Sequence, residues 1–242
     1  MTQRVASKRG RSAAQREAVL RRAAGIRLRF GRLLRAWYRS HHRDLPWRRT
    51  RDPYRVLVSE LMLQQTQVSR VVLKYGEFLE QFPTLDVLAR ARPARVMEAW
   101  SGLGYYARAK NLHRLARELA ATGTPATLPA GAEALRLLPG IGPYTAGAVA
   151  SSAYEQREAL VDTNVARVVR RVVAPALDAT RGADGGTIWA VARALLPRTG
   201  RATYVHNQAL MELGALVCTA RVRHCGRCPV RSMCATYEAD RS

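Results

Sequence analysis

Apolar residues recur every three and four positions in Ile26–Tyr38, Val56–Val68, Val71–Phe82 and Ala107–Leu119, the spacing that stacks them on one face of a helix. The punctuation agrees with that period. Thr84 can cap a helix over Leu85–Ala91, and Pro93 can open another over Ala94–Trp100. Gly102 and Gly104 stop that helix, and Gly123 stops the one beginning at Ala107. Farther on, a short apolar helix over Ala134–Leu138 precedes one starting near Pro143. Pro175–Gly186 reads as a surface excursion, followed by helices over Thr187–Leu195 and Thr203–Val217. No run alternates apolar and polar convincingly enough for a strand. The fold class is expected to be all-α.

Charge changes the picture at the amino end. Residues 1–25 are polar and studded with Arg, which reads as a flexible basic arm with no apolar run long enough for a signal peptide. Over the whole chain the net charge is +22, and the only lysines are Lys8, Lys74 and Lys110. Arginine forks bind phosphate bidentately and release counterions from a polyanion, so nucleic acid is the expected partner. No apolar stretch approaches the roughly 18 residues a membrane span needs, so no membrane role is expected. A length of 242 residues allows one or two domains.

The four cysteines, Cys218, Cys225, Cys228 and Cys234, are spaced C-x6-C-x2-C-x5-C. Four thiolates in one short loop can wrap a [4Fe–4S] cluster, in which each iron takes one sulfur ligand. Disulfides need an oxidising compartment, to which nothing here directs the chain. Structural zinc remains the alternative, although zinc ribbons usually offer two C-x2-C knuckles and this chain has one.

Two further groups carry chemistry. In Leu138-Pro139-Gly140-Ile141-Gly142, two glycines separated by one residue let the backbone turn tightly and bare its N–H groups, and the next helix adds its positive end. That is an anion site suited to a DNA phosphate, with Gly140 and Gly142 as its contacts. Glu60 lies in a helix apolar on nearly every side, and burial should raise its pKa toward what a general acid needs. Pairing with Arg43, Arg48 or Arg55 is the bland alternative. Asp162 precedes a helix whose first turn favours a carboxylate; as a bare feature it is an N-cap.

LPGIGPYTAGAVA followed by LVDTNVARVV resembles the helix-hairpin-helix plus Gly/Pro-Asp signature of base-excision DNA glycosylases, and the cysteine loop resembles that superfamily's iron–sulfur loop. LPWRRTRDPYRVLVSELMLQQTQV, GLGYYARAKNLH and NQALMELGALVC are similar to MutY-type adenine DNA glycosylases, so the likeness runs from about Ile26 to Cys234. It implies a two-lobed fold with the DNA cleft between lobes: a six-helix barrel over 47–156, and a cluster lobe from 26–46 with 157–242.

The resemblance also implies roles. Glu60 would protonate the departing base, and Asp162 would stabilise the oxocarbenium-like sugar, the division of labour of retaining glycosidases. Asn164 would orient Asp162 or the attacking water. Arg43, Trp47, Leu63 and Gln208 would line the adenine pocket, although Trp47 and Leu63 could be plain core. Gln64-Gln65 and Leu103-Gly104-Tyr105 would form the wedge elements that meet the DNA as the base is extruded, with Gln65 and Tyr105 the residues expected inside the duplex. Tyr144 stands where bifunctional relatives carry a lysine, and tyrosine cannot form their imine, so hydrolysis to an abasic site is expected.

The expected substrate is adenine opposite guanine or 8-oxoguanine in double-stranded DNA. Protonating an adenine ring nitrogen makes a better leaving group, whereas thymine has no comparably basic ring nitrogen. Typical MutY proteins carry a further C-terminal domain that reads 8-oxoguanine. The shorter form expected here should discriminate less between 8-oxoguanine and guanine, and it resembles the thymine mismatch glycosylases acting on T opposite G. A non-catalytic DNA-binding module is the other alternative, against which the presence of both Glu60 and Asp162 argues. A cytoplasmic, nucleoid-associated monomer is expected.

Overall fold

The computed structural model describes residues 2–123, 125–177 and 182–241. Residues 178–181, within the expected surface excursion, lie outside them. Twelve α-helices are found among the described residues: α1 Thr2–His41, α2 Pro53–Leu63, α3 Val68–Gln81, α4 Leu85–Arg90, α5 Pro93–Ala99, α6 Ala107–Thr122, α7 Ala132–Leu135, α8 Pro143–Ala153, α9 Thr163–Val173, α10 Gly182–Leu195, α11 Gly200–Leu216 and α12 Ala235–Ala239. The only β pairing among them is an isolated bridge between Cys218 and Arg223. The all-α class is correct.

The chain divides into two compact units. One joins Met1–His42 to Arg157–Ser242, and the other is Arg43–Gln156.

In the Arg43–Gln156 unit, α2 packs against α3 and α8, and α4 against α6. The contact with α8 follows from composition. Ala146, Gly147, Ala148 and Ala150 give that helix little side-chain bulk, so the large apolar residues of α2 can approach it closely. Phe78, Phe82 and Trp100 fill the centre, with Phe78 meeting Trp100 edge-on at 5.6 Å and 84°. Burying an aromatic of this size contributes about 1.5–3 kcal/mol. The period that runs unbroken through Val56–Val68 does break in the structure. Gln64 has ψ 113, α2 ends at Leu63, and α3 starts only at Val68. α3 lands with its apolar face in phase, which hides the interruption from a periodicity count.

In the other unit, α1 packs against α10 and α11, and α9 against α11 and α12. Val165, Val168, Val169, Val172 and Val173 make one buried face of α9, while Arg167, Arg170 and Arg171 take the others. β-Branched residues are poor helix formers, so packing of that face rather than propensity holds α9. The helix that periodicity starts at Ile26 runs from Thr2, so no boundary falls at residue 25. Ala and Arg are good helix formers, Glu17 pairs with Arg21 one turn on, and Ala23 is fully buried with Val19 and Leu20 packed on the same core. Arg22 ties this stretch to α12, donating to Glu238 at 2.8 Å.

No helix among the described residues is long and apolar enough to cross a membrane.

Candidate functional site

In the Arg43–Gln156 unit, Glu60 on α2 is buried with 6% exposure, as the apolar run around it requires. At the end of that helix, the Gln64 amide donates to Thr145 Oγ1 of α8 at 3.2 Å, which ties the turn after α2 to the glycine hairpin. At the hairpin, Gly140 has φ +75, and an added Cβ would stand 2.7 Å from the side chain of Asn111. Only glycine fits there on both counts. Gly142 is extended, with φ −87 and ψ 175, and caps α8; nothing lies within 4 Å of where a Cβ would be. Its open side and the bare N–H groups of a helix start form a place where an anion can approach the backbone. Tyr144 lies half-buried in the first turn of α8.

Gln64, Gln65 and Tyr105 line one pocket, together with Tyr106, Ala107 and Arg108. Tyr105 is 59% exposed, whereas Leu103 is 4% exposed and belongs to the core, so its side chain anchors the loop instead of reaching out of it. Trp47, on a short 3-10 turn over Pro46–Arg48, packs edge-on against Tyr75 at 5.6 Å inside the same core. Leu63 is partly buried against that core, and the Arg43 carbonyl accepts from Arg48 at 2.8 Å.

In the other unit, Asp162 caps α9. Its Oδ1 accepts from the Val165 N–H at 2.6 Å, and its Oδ2 accepts from the Asn164 amide at 3.2 Å. Asn164 Oδ1 in turn accepts from Arg167 at 2.6 Å. The same guanidinium donates to the Gly214 carbonyl at 2.7 Å and to the Cys218 carbonyl at 2.8 Å. A chain of side chains therefore runs from Asp162 to the first cysteine. Arg167 gives no signal in the sequence, because in a chain this rich in Arg a single guanidinium does not stand out. Gln208 is buried on α11.

Gly214 lets α11 meet α9 here. A Cβ at Gly214 would sit 2.7 Å from Asn164 Cβ and 3.2 Å from its backbone. None of those atoms is the end of a flexible chain. Gly214→Ala is expected to destabilise the protein by about 1–3 kcal/mol, as overpacking does, and to displace Asn164. A melting-temperature series with Gly214→Ala beside Gly131→Ala, where a Cβ meets open space, checks this.

The four cysteines form no disulfide and line one pocket of about 440 Å³, counting its open side. Val168, Val172, Leu213, Val217 and Val230 give it apolar walls, and Arg171, Arg223, His224, Arg231, Thr236 and Tyr237 also line it. Burial pushes the Cys228 thiol up to about 11, with Cys218, Cys234 and Cys225 adding to the rise, and burial pushes Cys234 up likewise. A cation bound in place of the protons would offset that burial at Cys228 and Cys234. Arg171 frames the pocket, donating to Cys218 Sγ at 3.3 Å and to the Thr219 carbonyl at 2.7 Å. Its own carbonyl accepts from the Thr236 hydroxyl at 2.8 Å. No three His, Cys, Asp or Glu side chains among the described residues stand as a set for a single metal ion. The donors instead ring a cavity, which fits a cluster whose irons each take one thiolate.

An all-helical chain with a glycine hairpin, a helix-capping aspartate beyond it and a four-cysteine pocket defines a class of DNA repair protein. The chain belongs to the HhH-GPD superfamily of base excision DNA repair proteins, which its residues 58–181 match. It is 48% identical over 201 residues to the adenine DNA glycosylase of Mycolicibacterium smegmatis, covering 81% of this chain and 66% of that one. It is 43% identical over 218 residues to the rat adenine DNA glycosylase, covering 86% of this chain and 42% of that one. The chain thus spans less than half the length of the rat relative. Among solved structures, a thermostable thymine-DNA glycosylase superposes with a TM-score of 0.80 at 28% identity, over 89% of this chain and 98% of that one.

Proposed function

We propose that this protein is a monofunctional DNA glycosylase that hydrolyses the N-glycosidic bond of adenine mispaired with guanine or 8-oxoguanine in double-stranded DNA, leaving an abasic site. The observation that carries the reading is the 48% identity to an adenine DNA glycosylase over 81% of the chain. Glu60 is the acid that protonates the departing base. Asp162, held by Val165 and Asn164, presents a carboxylate to the sugar as positive charge develops there. Gly140 and Gly142 receive a phosphate, and Arg43, Trp47, Leu63 and Gln208 contact adenine. Gln64, Gln65 and Tyr105 occupy the space the extruded base vacates, over a footing made by Leu103. The protein acts as a monomer.

Cys218, Cys225, Cys228 and Cys234 would hold a [4Fe–4S] cluster, which supplies a cross-link that shapes the loop between α11 and α12. Arg171 donates to one of those sulfurs, and Arg167 carries the loop's position to Asn164.

The test is single-turnover base release from A:G, A:8-oxoG, A:C, T:G and U:G duplexes by protein with its iron and acid-labile sulfide counted. Adenine release, four irons per chain and absorbance near 400 nm are expected. Thymine release from T:G exceeding adenine release from both A:G and A:8-oxoG would install the thymine reading, which the 0.80 TM-score neighbour favours. Borohydride added during turnover should trap no covalent adduct, because Tyr144 offers no amine. A trapped adduct would show strand-cleaving chemistry.

A further inference from the structure

We propose that Arg108 is a positioning residue that locks the Gln64–Thr66 turn and the Leu103–Tyr105 loop into one preformed wedge, so that Gln65 and Tyr105 enter the duplex together. This rests on the reading of those two residues as the ones that fill the vacated space. Both stand in left-handed backbone, Gln65 at φ 54 and Tyr105 at φ 45. Side-chain-bearing residues avoid that conformation and keep it only where the surroundings impose it.

Arg108 supplies those surroundings. It is 7% exposed, on the first turn of α6, and its charge is solvated by backbone oxygens. Nη1 donates to the carbonyls of Leu61 at 2.7 Å and Met62 at 2.9 Å, and also to that of Gln64. Nη2 donates to Leu103 at 3.1 Å, Gly104 at 2.9 Å and Thr66 Oγ1 at 3.1 Å, and Nε donates to the Tyr105 carbonyl at 3.2 Å. Leu61 and Met62 belong to the last turn of α2, whose carbonyls find no donor within their own helix. One guanidinium therefore caps α2 and clasps both loops. The Thr66 hydroxyl, which accepts from Arg108, also donates to the Leu103 carbonyl at 3.2 Å. The cation also lies 5.5 Å from the centroids of both Trp100 and Tyr105, which holds the exposed ring as well as its backbone.

No other side chain reproduces this. An ammonium is a point charge with three donors and lacks the planar fork that reaches two loops at once. A wedge assembled in advance loses no conformational freedom when it enters DNA, and its absence is felt most where a partner base must be displaced.

Arg108→Lys and Thr66→Val are compared with wild type in single-turnover adenine release from an A:G duplex and from the same duplex with an abasic site opposite the adenine. Thermal melts report folding. Arg108→Lys is expected to lose about a hundredfold on A:G, the scale of a small misplacement, and no more than about tenfold opposite the abasic site. Thr66→Val should show the same duplex dependence at smaller size, and it decides the matter if Arg108→Lys does not fold. Equal losses on the two duplexes, or no loss on A:G, overturn the proposal. A wild-type protein that releases adenine from neither duplex overturns the glycosylase reading and this inference with it, before any variant is compared.

Discussion

Glu60→Gln and Asp162→Asn are each expected to lower single-turnover adenine release by about a thousandfold or more, with duplex affinity little changed. The two substitutions remove chemistry and keep shape. Glutamine has the volume of glutamate and fits a position with 6% exposure, but it has no proton to give a departing base. Asparagine caps helices as well as aspartate does, so the bond from the Val165 N–H should survive and α9 with it. What Asp162→Asn loses is the negative charge facing the sugar. Melting temperatures of both variants should therefore stay near wild type, and the effect should show in rates from a quench-flow series on A:G DNA. A variant keeping more than about a tenth of the wild-type rate would remove that residue from the reaction, since a positioned acid or base alone accounts for more than that.

The second large effect is acid sensitivity through His206. Its ring is fully buried on α11, edge-on to Phe30 at 5.9 Å, and neither ring nitrogen has a hydrogen-bond partner. Burial, with Arg35 nearby, holds its pKa down at about 3, against an ordinary value of 6.5. Above about 6.5 the ring is neutral in both folded and unfolded chains, and pH does not act through it. Between 6.5 and about 3 the unfolded chain alone takes up the proton, so stability falls as pH falls. The slope approaches about 1.4 kcal/mol per pH unit, which makes the loss near pH 5 about 2 kcal/mol. His206→Leu, of similar volume and without polar atoms, should flatten this dependence and add about 1 kcal/mol or more at neutral pH by removing unsatisfied nitrogens. Urea unfolding of both proteins at pH 7.5 and 5 checks it. An unchanged pH slope in His206→Leu would place the acid sensitivity elsewhere.

The helical class is legible in the sequence because helix period and punctuation both act within a few residues. Thr84 caps α4 and Pro93 opens α5 where their chemistry puts them. The turn after α2 is not legible, because Val68 resumes the apolar face in phase. The start of α1 escapes for a related reason: an Arg-rich segment has the composition of an arm until a distant core gives Ala23 something to pack against. In the candidate site, Asp162, the hairpin glycines and the cysteines stand out by residue type and spacing. Arg108, Arg167 and Arg171 do not. Their partners are largely backbone carbonyls, many of them tens of residues away, which every residue carries and no sequence pattern marks. Leu103 matches the loop motif while its own side chain is turned inward, a placement the motif does not reveal.

The division of the chain has a consequence for its synthesis. The Arg43–Gln156 unit is one unbroken segment, and every helix it needs is synthesised before α9. α1 comes first, but α10 and α11, the helices that cover Phe30 and Leu34, lie more than a hundred residues downstream. The earliest helix must therefore wait with an apolar stripe uncovered until nearly the last part of the chain appears, a pairing of high contact order and slow closure. The arginines along α1 carry like charge through that interval, and their mutual repulsion opposes the association of one such helix with another.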